Sequence, residues 1–242
     1  MPNSEAFLTT FASIETWLRK QASVDKSVSF YQLVERAGEK NPAVRRYRDD
    51  LKEFADLRNA IVHERTDGHV IAEPNDRAVA DFERICTALL KPPTVIPLFQ
   101  RAVLTRNLQE HVGQAVSDMR AGSFSQLPIL SDGKVRALLT SETVVRWLAS
   151  ELCNDLVSLS ETKIESVLPH TEDREHYCFL PRSATLQEAL TRFEDFTGRG
   201  KDLDAVLITQ DGKPDQRLLG ILTVYDLPAI LETLGLRRVS AA

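Results

Sequence analysis

Two stretches of this chain carry the same pattern. The first runs Gln126-Leu127-Pro128-Ile129-Leu130, turns at Asp132-Gly133-Lys134 and continues Ala137-Leu138-Leu139-Thr140. The second runs Ala205-Val206-Leu207-Ile208, turns at Asp211-Gly212 and continues Gly220-Ile221-Leu222-Thr223-Val224-Tyr225-Asp226. Short apolar runs on either side of Asp-Gly read as strands joined by hairpins. A strand and a helical pattern stand ahead of each: Val103-Leu104-Thr105 then His111 to Met119, and Cys178-Phe179-Leu180-Pro181 then Thr185 to Leu190. A further helix follows the last strand of each copy. One such copy is too small to cover both faces of its sheet, so the two are expected to pack together.

Working outward, the β-rich pattern begins after Lys91-Pro92-Pro93, a pair of prolines that cannot continue a helix. Before it the spacing is helical. Phe7, Leu8, Phe11, Ile14, Trp17 and Leu18 share one face, with Ser4 as the expected cap. A second helix around Phe30–Ala37 is expected to stop at Gly38. Asn41-Pro42 then starts a third that runs unbroken to about His63, and Asn75 starts a fourth. A polar turn at Asp67-Gly68 and a short Val70–Ala72 segment stand between the last two. The expected fold class is α + α/β: a helical bundle over residues 1–91, then two β-α-β-β-α repeats within 92–242, at about 93–155 and 164–235.

Composition bounds the function. The chain has 242 residues and a formal net charge of −5, with 43% hydrophobic residues. That apolar content excludes wholesale disorder. Cys86, Cys153 and Cys178 are too few and too far apart for a disulfide scaffold, and read as free thiols of a reducing compartment. The acidic balance argues against a general nucleic-acid coat or a membrane-surface protein. No apolar run approaches the ~20 residues of a membrane span, and the first residues lack the pattern of a signal peptide. A cytoplasmic location is expected.

The third helix holds a charged residue on its apolar face. At 100° per residue, Val44, Tyr47, Leu51, Phe54, Ile61 and Val62 form one stripe, and Arg58 falls near its middle. Asn59 and His63 stand one turn apart beside it. A guanidinium there must be ion-paired, or must face an interface or cleft, because an unpaired buried charge is costly. One reading is a structural ion pair and the other a catalytic or phosphate-binding group.

Leu57-Arg58-Asn59-Ala60-Ile61-Val62-His63-Glu64 resembles the signature of the HEPN superfamily, an Arg and a polar residue followed by His. The likeness covers about residues 1–91. Many members are metal-independent ribonucleases acting as dimers, and others are non-catalytic RNA- or nucleotide-binding modules. The resemblance implies that His63 is the general acid/base, that Arg58 stabilises charge on the phosphate and that Asn59 orients the phosphate or His63. Arg45, Arg46, Arg48 and Lys52 would then hold an RNA backbone, or else form a solvated face paired with Asp49, Asp50, Glu53 and Asp56.

The repeat over about residues 93–235 resembles the tandem CBS (cystathionine-β-synthase-type) domain pair. The closest element is Gly220-Ile221-Leu222-Thr223-Val224-Tyr225-Asp226, which is similar to that family's nucleotide-binding stretch. The resemblance implies that Thr223 contacts phosphate, that Asp226 accepts from both ribose hydroxyls, and that adenine lies among Leu180, Val206 and Ile221. Pro181 and Gly220 complete the implied site. Read without the family, a Thr before a helix is an N-cap and Asp226 sits in its first turn. The first copy departs from the pattern, with Thr143 where the second has Asp226, so its site is expected to be weakened or empty. An insert, Gly198-Arg199-Gly200-Lys201, offers a basic loop for phosphates, or an ordinary exposed loop.

His170, Glu172, Asp173, Glu175 and His176 are metal-capable but lack zinc-finger or His-Glu-x-x-His spacing; they read as a polar linker and no metal is expected. The resulting expectation is a regulatory sensor, a homodimer, that binds an adenine nucleotide (AMP, ADP or ATP, or the S-adenosylmethionine class) and transmits this to the helical domain. The enzyme alternative is a metal-independent endoribonuclease gated by that nucleotide, with RNA as its substrate. The third is a non-catalytic dimerisation module with an empty cleft.

Overall fold

The computed structural model describes residues 2–24, 28–63, 65–66, 69–70, 73–151, 157–172 and 176–236, without the side chains of 63, 65, 66, 69 and 70. It separates into two compact units, Met1–Pro93 and Thr94–Ala242.

The first unit carries helices α1 (Asn3–Ala22), α2 (Phe30–Lys40), α3 (Pro42–Arg46), α4 (Arg48–His63) and α5 (Asp76–Leu90). Between α4 and α5, strands β1 (Arg65–Thr66) and β2 (His69–Val70) pair antiparallel. The expected Asp67-Gly68 turn and the end of the Val70–Ala72 segment lie outside the described residues. Phe82 of α5 is fully buried, with its ring 4.7 Å from both Phe7 and Phe54 and 5.9 Å from Phe11. Such aromatic contacts, tilted with Phe7 and Phe54 and stacked with Phe11, add to the area that the rings bury.

Three local expectations are corrected here. Ser4 does not cap α1: the helix starts at Asn3, and the buried Ser4 donates its amide to Glu73. The side chain of Asn3 reaches the Pro74 carbonyl at 3.0 Å and Asp76 at 2.7 Å, which fixes α1 against the start of α5. Gly38 does not end α2, which continues to Lys40. Arg45 donates to the carbonyls of Gly38 and Glu39, so the last turn has a cap that needs no left-handed glycine. The third helix is broken at Tyr47 (φ −95°, ψ 15°), although Asn41 caps its start as expected.

The second unit holds both repeats. Repeat one comprises α6 (Val95–Leu98), β3 (Arg106–Asn107), α7 (Val112–Gly122), β4 (Gln126–Ser131), β5 (Lys134–Thr140), α8 (Ser141–Ser150) and α9 (Ile164–Val167). Repeat two comprises β6 (Tyr177–Pro181), α10 (Leu186–Gly198), β7 (Ala205–Thr209), β8 (Gly220–Leu222) and α11 (Leu227–Thr233). The sheets are ordered β3-β4-β5 and β6-β7-β8, each with one parallel and one antiparallel pairing. The strand foreseen at Val103-Leu104-Thr105 falls later, at Arg106–Asn107, and 103–105 carries no strand.

The hairpins differ. Asp132 and Gly133, at φ 53° and 74°, form the tight turn between Ser131 and Lys134. The Asp211-Gly212 hairpin is not tight, because residues 210–219 separate β7 from β8. Gln216 closes that longer connection by bonding to Thr209 and Asp211.

Strand alternation sorts the side chains of each sheet. Leu180, Val206, Ile208 and Leu222 face α10 and α11 in one core, and Met119, Leu127, Ile129 and Leu139 lie in the core of repeat one. The opposite faces meet through Val135, Leu138, Ala205 and Leu207, with Phe179 and Ile221 beside them. Burial pushes the Cys86 thiol up to about 12 and that of Cys178 to about 11, so both stay protonated at neutral pH; Cys153 lies outside the described residues.

Replacing Phe82 by Ala is expected to cost about 3–5 kcal/mol, the usual range for a buried aromatic. Peptide-resolved hydrogen exchange should then show lost protection in α1, α4 and α5. Unchanged protection there would contradict the central place given to this ring.

Candidate functional site

The main cavity of the second unit, about 730 Å³, lies where β8 of repeat two approaches the start of β4 in repeat one. It brings together Ile221, Thr223 and Asp226 with Pro128, Tyr225 and Arg101. Of the residues expected at a nucleotide site, Ile221, Thr223 and Asp226 therefore line one cavity.

The other four are placed elsewhere. Leu180 and Val206 are buried in the core beneath α10, because their rows of the sheet point away from the row of Ile221. Pro181 lies at the end of β6, in an isolated bridge with Asp211. Gly220 is buried, and a Cβ on it would lie 2.2 Å from the carbonyl oxygen of Phe99. Its lack of a side chain admits the Phe99 backbone. The segment ahead of β3 passes over the β8 edge at that point. It is pinned by the amide of Val95 on Ala184 and by the amide of Arg101 on Leu219.

That strap delivers Arg101 to the site. Its Nη2 donates to the Ile221 carbonyl and, at 3.0 Å, to Oδ2 of Asp226. The same carboxylate oxygen accepts the Thr223 amide at 2.8 Å and the Thr223 hydroxyl at 3.3 Å. Asp226 thus closes a capping box around the turn Val224–Asp226. The helix expected after Thr223 begins as this 3₁₀ turn and continues as the seven-residue α11, and the Thr223 amide is already engaged. Positive charge at the cavity comes from Arg101 and Arg120. Sequence reading missed Arg101 because it lies far from Asp226 along the chain; the signal that was present is the lone Gly in Leu219-Gly220-Ile221, a mark of close backbone approach.

A second cavity of about 380 Å³ is lined by the matching elements with the repeats exchanged: Thr140 and Thr143 from repeat one, Gly200 and Lys201 from repeat two. Thr143 is 2% exposed and bonds to Thr140 and Thr171. Arg146 pairs with Glu142 and Glu172, and His176 with Asp204 at 2.8 Å. Thr143 thus takes the capping place that Asp226 holds in repeat two, without its charge. Of the expected polar linker, Asp173 and Glu175 lie outside the described residues; among the described residues no three His, Cys, Asp or Glu form a metal-capable group.

In the first unit, Arg58 and Asn59 line a cavity of about 230 Å³ with Phe11 and Tyr31. Arg58 donates to Asn59 at 3.2 Å, and its guanidinium lies 5.9 Å from the centroid of Phe11. Among the described residues no carboxylate pairs with Arg58. Tyr31 donates to Asp56, and that bond raises the pKa of the phenol. His63 ends α4, and its side chain is outside the described residues. The basic run before the motif is engaged within the unit: Arg45 on α2 carbonyls, Arg48 on Asp49 and Lys52 on Glu35.

Replacing Gly220 by Ala is expected to lift the strap, since the Phe99 carbonyl must move to admit the methyl group; such overpacking costs about 1–3 kcal/mol. Trypsin cleavage after Arg101, followed by mass spectrometry, should accelerate severalfold. An unchanged rate would show that the strap is not held this way.

No family model matches this sequence, and no curated protein matches it. Solved structures of CBS-domain proteins are similar to part of it. A candidate acetoin utilization protein (AcuB) of Vibrio cholerae is 16% identical, with 58% of this chain and 91% of that chain covered and a TM-score of 0.45. A candidate signal-transduction protein with CBS domains from Burkholderia ambifaria is 14% identical, with coverage of 59% and 90% and a TM-score of 0.42. The CBS domain pair of protein MJ0100, solved in complex with 5′-methylthioadenosine and S-adenosyl-L-methionine, is 15% identical, with coverage of 59% and 98% and a TM-score of 0.43. No described helix is long and apolar enough to cross a membrane.

Proposed function

We propose that the second unit is a tandem CBS pair that binds an adenosine-containing ligand in the main cavity and acts as a regulatory sensor. The observation that carries this reading is the convergence of Thr223, Asp226 and Ile221 with Pro128 of the other repeat around one cavity. A carboxylate can accept two ribose hydroxyls. Leu104 and Tyr225, 47% and 81% exposed, give the base an apolar and aromatic surface in place of the buried Leu180 and Val206. The second cavity, with Thr143 in the carboxylate's place, is the weaker candidate. Ligand binding would bias the packing of the two repeats and, through it, the helical unit.

The test is thermal unfolding with adenosine, AMP, ADP, ATP and S-adenosylmethionine at millimolar levels. A ligand at 100 times its Kd adds about 2.7 kcal/mol of stability. That shift should vanish in Asp226→Ala and shrink in Asp226→Asn, which keeps the size of the capping side chain. No response to any of these ligands would remove the sensor reading and leave a dimerisation module with an empty cleft.

A second reading concerns the first unit: a HEPN-type metal-independent ribonuclease, active as a dimer and gated by the nucleotide. It is favoured by Arg58 lining a cavity beside Asn59 with no carboxylate partner among the described residues. A guanidinium so placed suits an external phosphate. RNA incubated with the protein in EDTA should be cleaved to 2′,3′-cyclic phosphate ends, and both His63→Ala and Arg58→Ala should abolish this. Cleavage that survives both substitutions would refute it.

A further inference from the structure

Within the main cavity one oxygen of the carboxylate expected to hold a ligand is already engaged. Oδ2 of Asp226 takes Arg101 at 3.0 Å together with the amide and hydroxyl of Thr223. The Thr223 contacts belong to the turn and can persist with a ligand present. The Arg101 contact is different: it comes from the strap, and the arginine side chain is 46% exposed against 16% for Asp226. A ribose approaching Asp226 meets this guanidinium first. The charged side chains lining the cavity are Arg101, Arg120 and Asp226, so two cations face a single anion, one oxygen of which is already engaged.

We propose that Arg101 is an exchangeable counter-ion that makes this cleft selective for anionic, phosphorylated nucleotides over neutral nucleosides and cationic adenosyl sulfonium compounds. The inference rests on the adenosine-ligand reading above and sets the ligand class within it. A ribose that takes both carboxylate oxygens of Asp226, one for each hydroxyl, displaces Arg101 from Oδ2. A phosphate group supplies a replacement partner within reach of the freed guanidinium, with Arg120 on the same wall. Adenosine supplies none, and S-adenosylmethionine supplies only an α-carboxylate outweighed by its sulfonium and ammonium charges, beside two arginines. The strap geometry keeps the exchange local. The Arg101 amide stays on Leu219 and Gly220 keeps the backbone seated, so only the side chain needs to turn, leaving the Ile221 carbonyl together with Asp226.

The experiment is calorimetric titration of the full chain with adenosine, AMP, ATP and S-adenosylmethionine, for the wild type and for Arg101→Ala, Arg101→Lys and Arg120→Ala. In the wild type the phosphorylated nucleotides should bind at least about tenfold tighter than adenosine, the worth of one charge-assisted contact. In Arg101→Ala that ratio should fall to near unity from both sides: the nucleotides weaken, while adenosine and S-adenosylmethionine bind severalfold tighter because Asp226 is free. Arg101→Lys should retain part of the preference. A preference that is unchanged in Arg101→Ala, or that collapses only in Arg120→Ala, overturns the role given to Arg101 while leaving the adenosine site standing. No binding of any of the four ligands to the wild type or to any variant overturns both.

Discussion

Residue 220 can carry no side chain. A methyl group there would sit 2.2 Å from the Phe99 carbonyl, and much of the second unit depends on that approach. β8 is an edge strand, three residues long, and such edges need cover. The strap supplies it by bonding to the Leu219 carbonyl from its backbone and to the Ile221 carbonyl from the Arg101 side chain. One close contact therefore seals a sheet edge, seats the chain entering the repeats and fixes where a guanidinium meets Asp226. A stabilising device and a recognition device share the same atoms.

The two cavities of this unit are built from matching elements and end differently. In one, a turn carboxylate faces an arginine from the preceding segment. In the other, the same turn position is a buried threonine, and the ion pair is reversed, with Glu172 of the preceding segment facing Arg146 of the helix. Threonine can close the turn as Asp226 does but offers no charge to two hydroxyls at once. The duplicated fold thus keeps its capping geometry in both halves, while only repeat two has a carboxylate at that turn position.

The succession of strands and helices along the chain and the duplication are legible because both rest on local signals: apolar runs of strand length, Asp-Gly pairs, and helices opened by Thr185 and Asn41. The core-facing stripe of α1 was equally plain, with Phe7, Phe11, Ile14 and Leu18 buried as their spacing implies. The composition of the cavity wall was not. Leu180, Val206 and Ile221 are all apolar strand residues, and only the register Val206↔Leu222 and Leu207↔Ile221 reveals that Ile221 lies on the face opposite the other two. Register is a long-range property, set by which strands pair and by a connection longer than its Asp-Gly pair suggested. The helix ends erred for a related reason. Gly38 is a good terminator by itself, but a guanidinium from the next helix supplied the cap first. Arg58 is readable as anomalous from its stripe, and the Asn59 amide beside it is its sequence neighbour, yet the Phe11 ring beneath it comes from another helix.

The unequal hairpins make the seam between the repeats one-sided. The short turn at Asp132-Gly133 joins two strands of its own sheet, whereas the longer connection of repeat two reaches across, where the Pro214 carbonyl accepts the amide of Val135. At this contact repeat one donates and repeat two accepts, so the two halves are not interchangeable there.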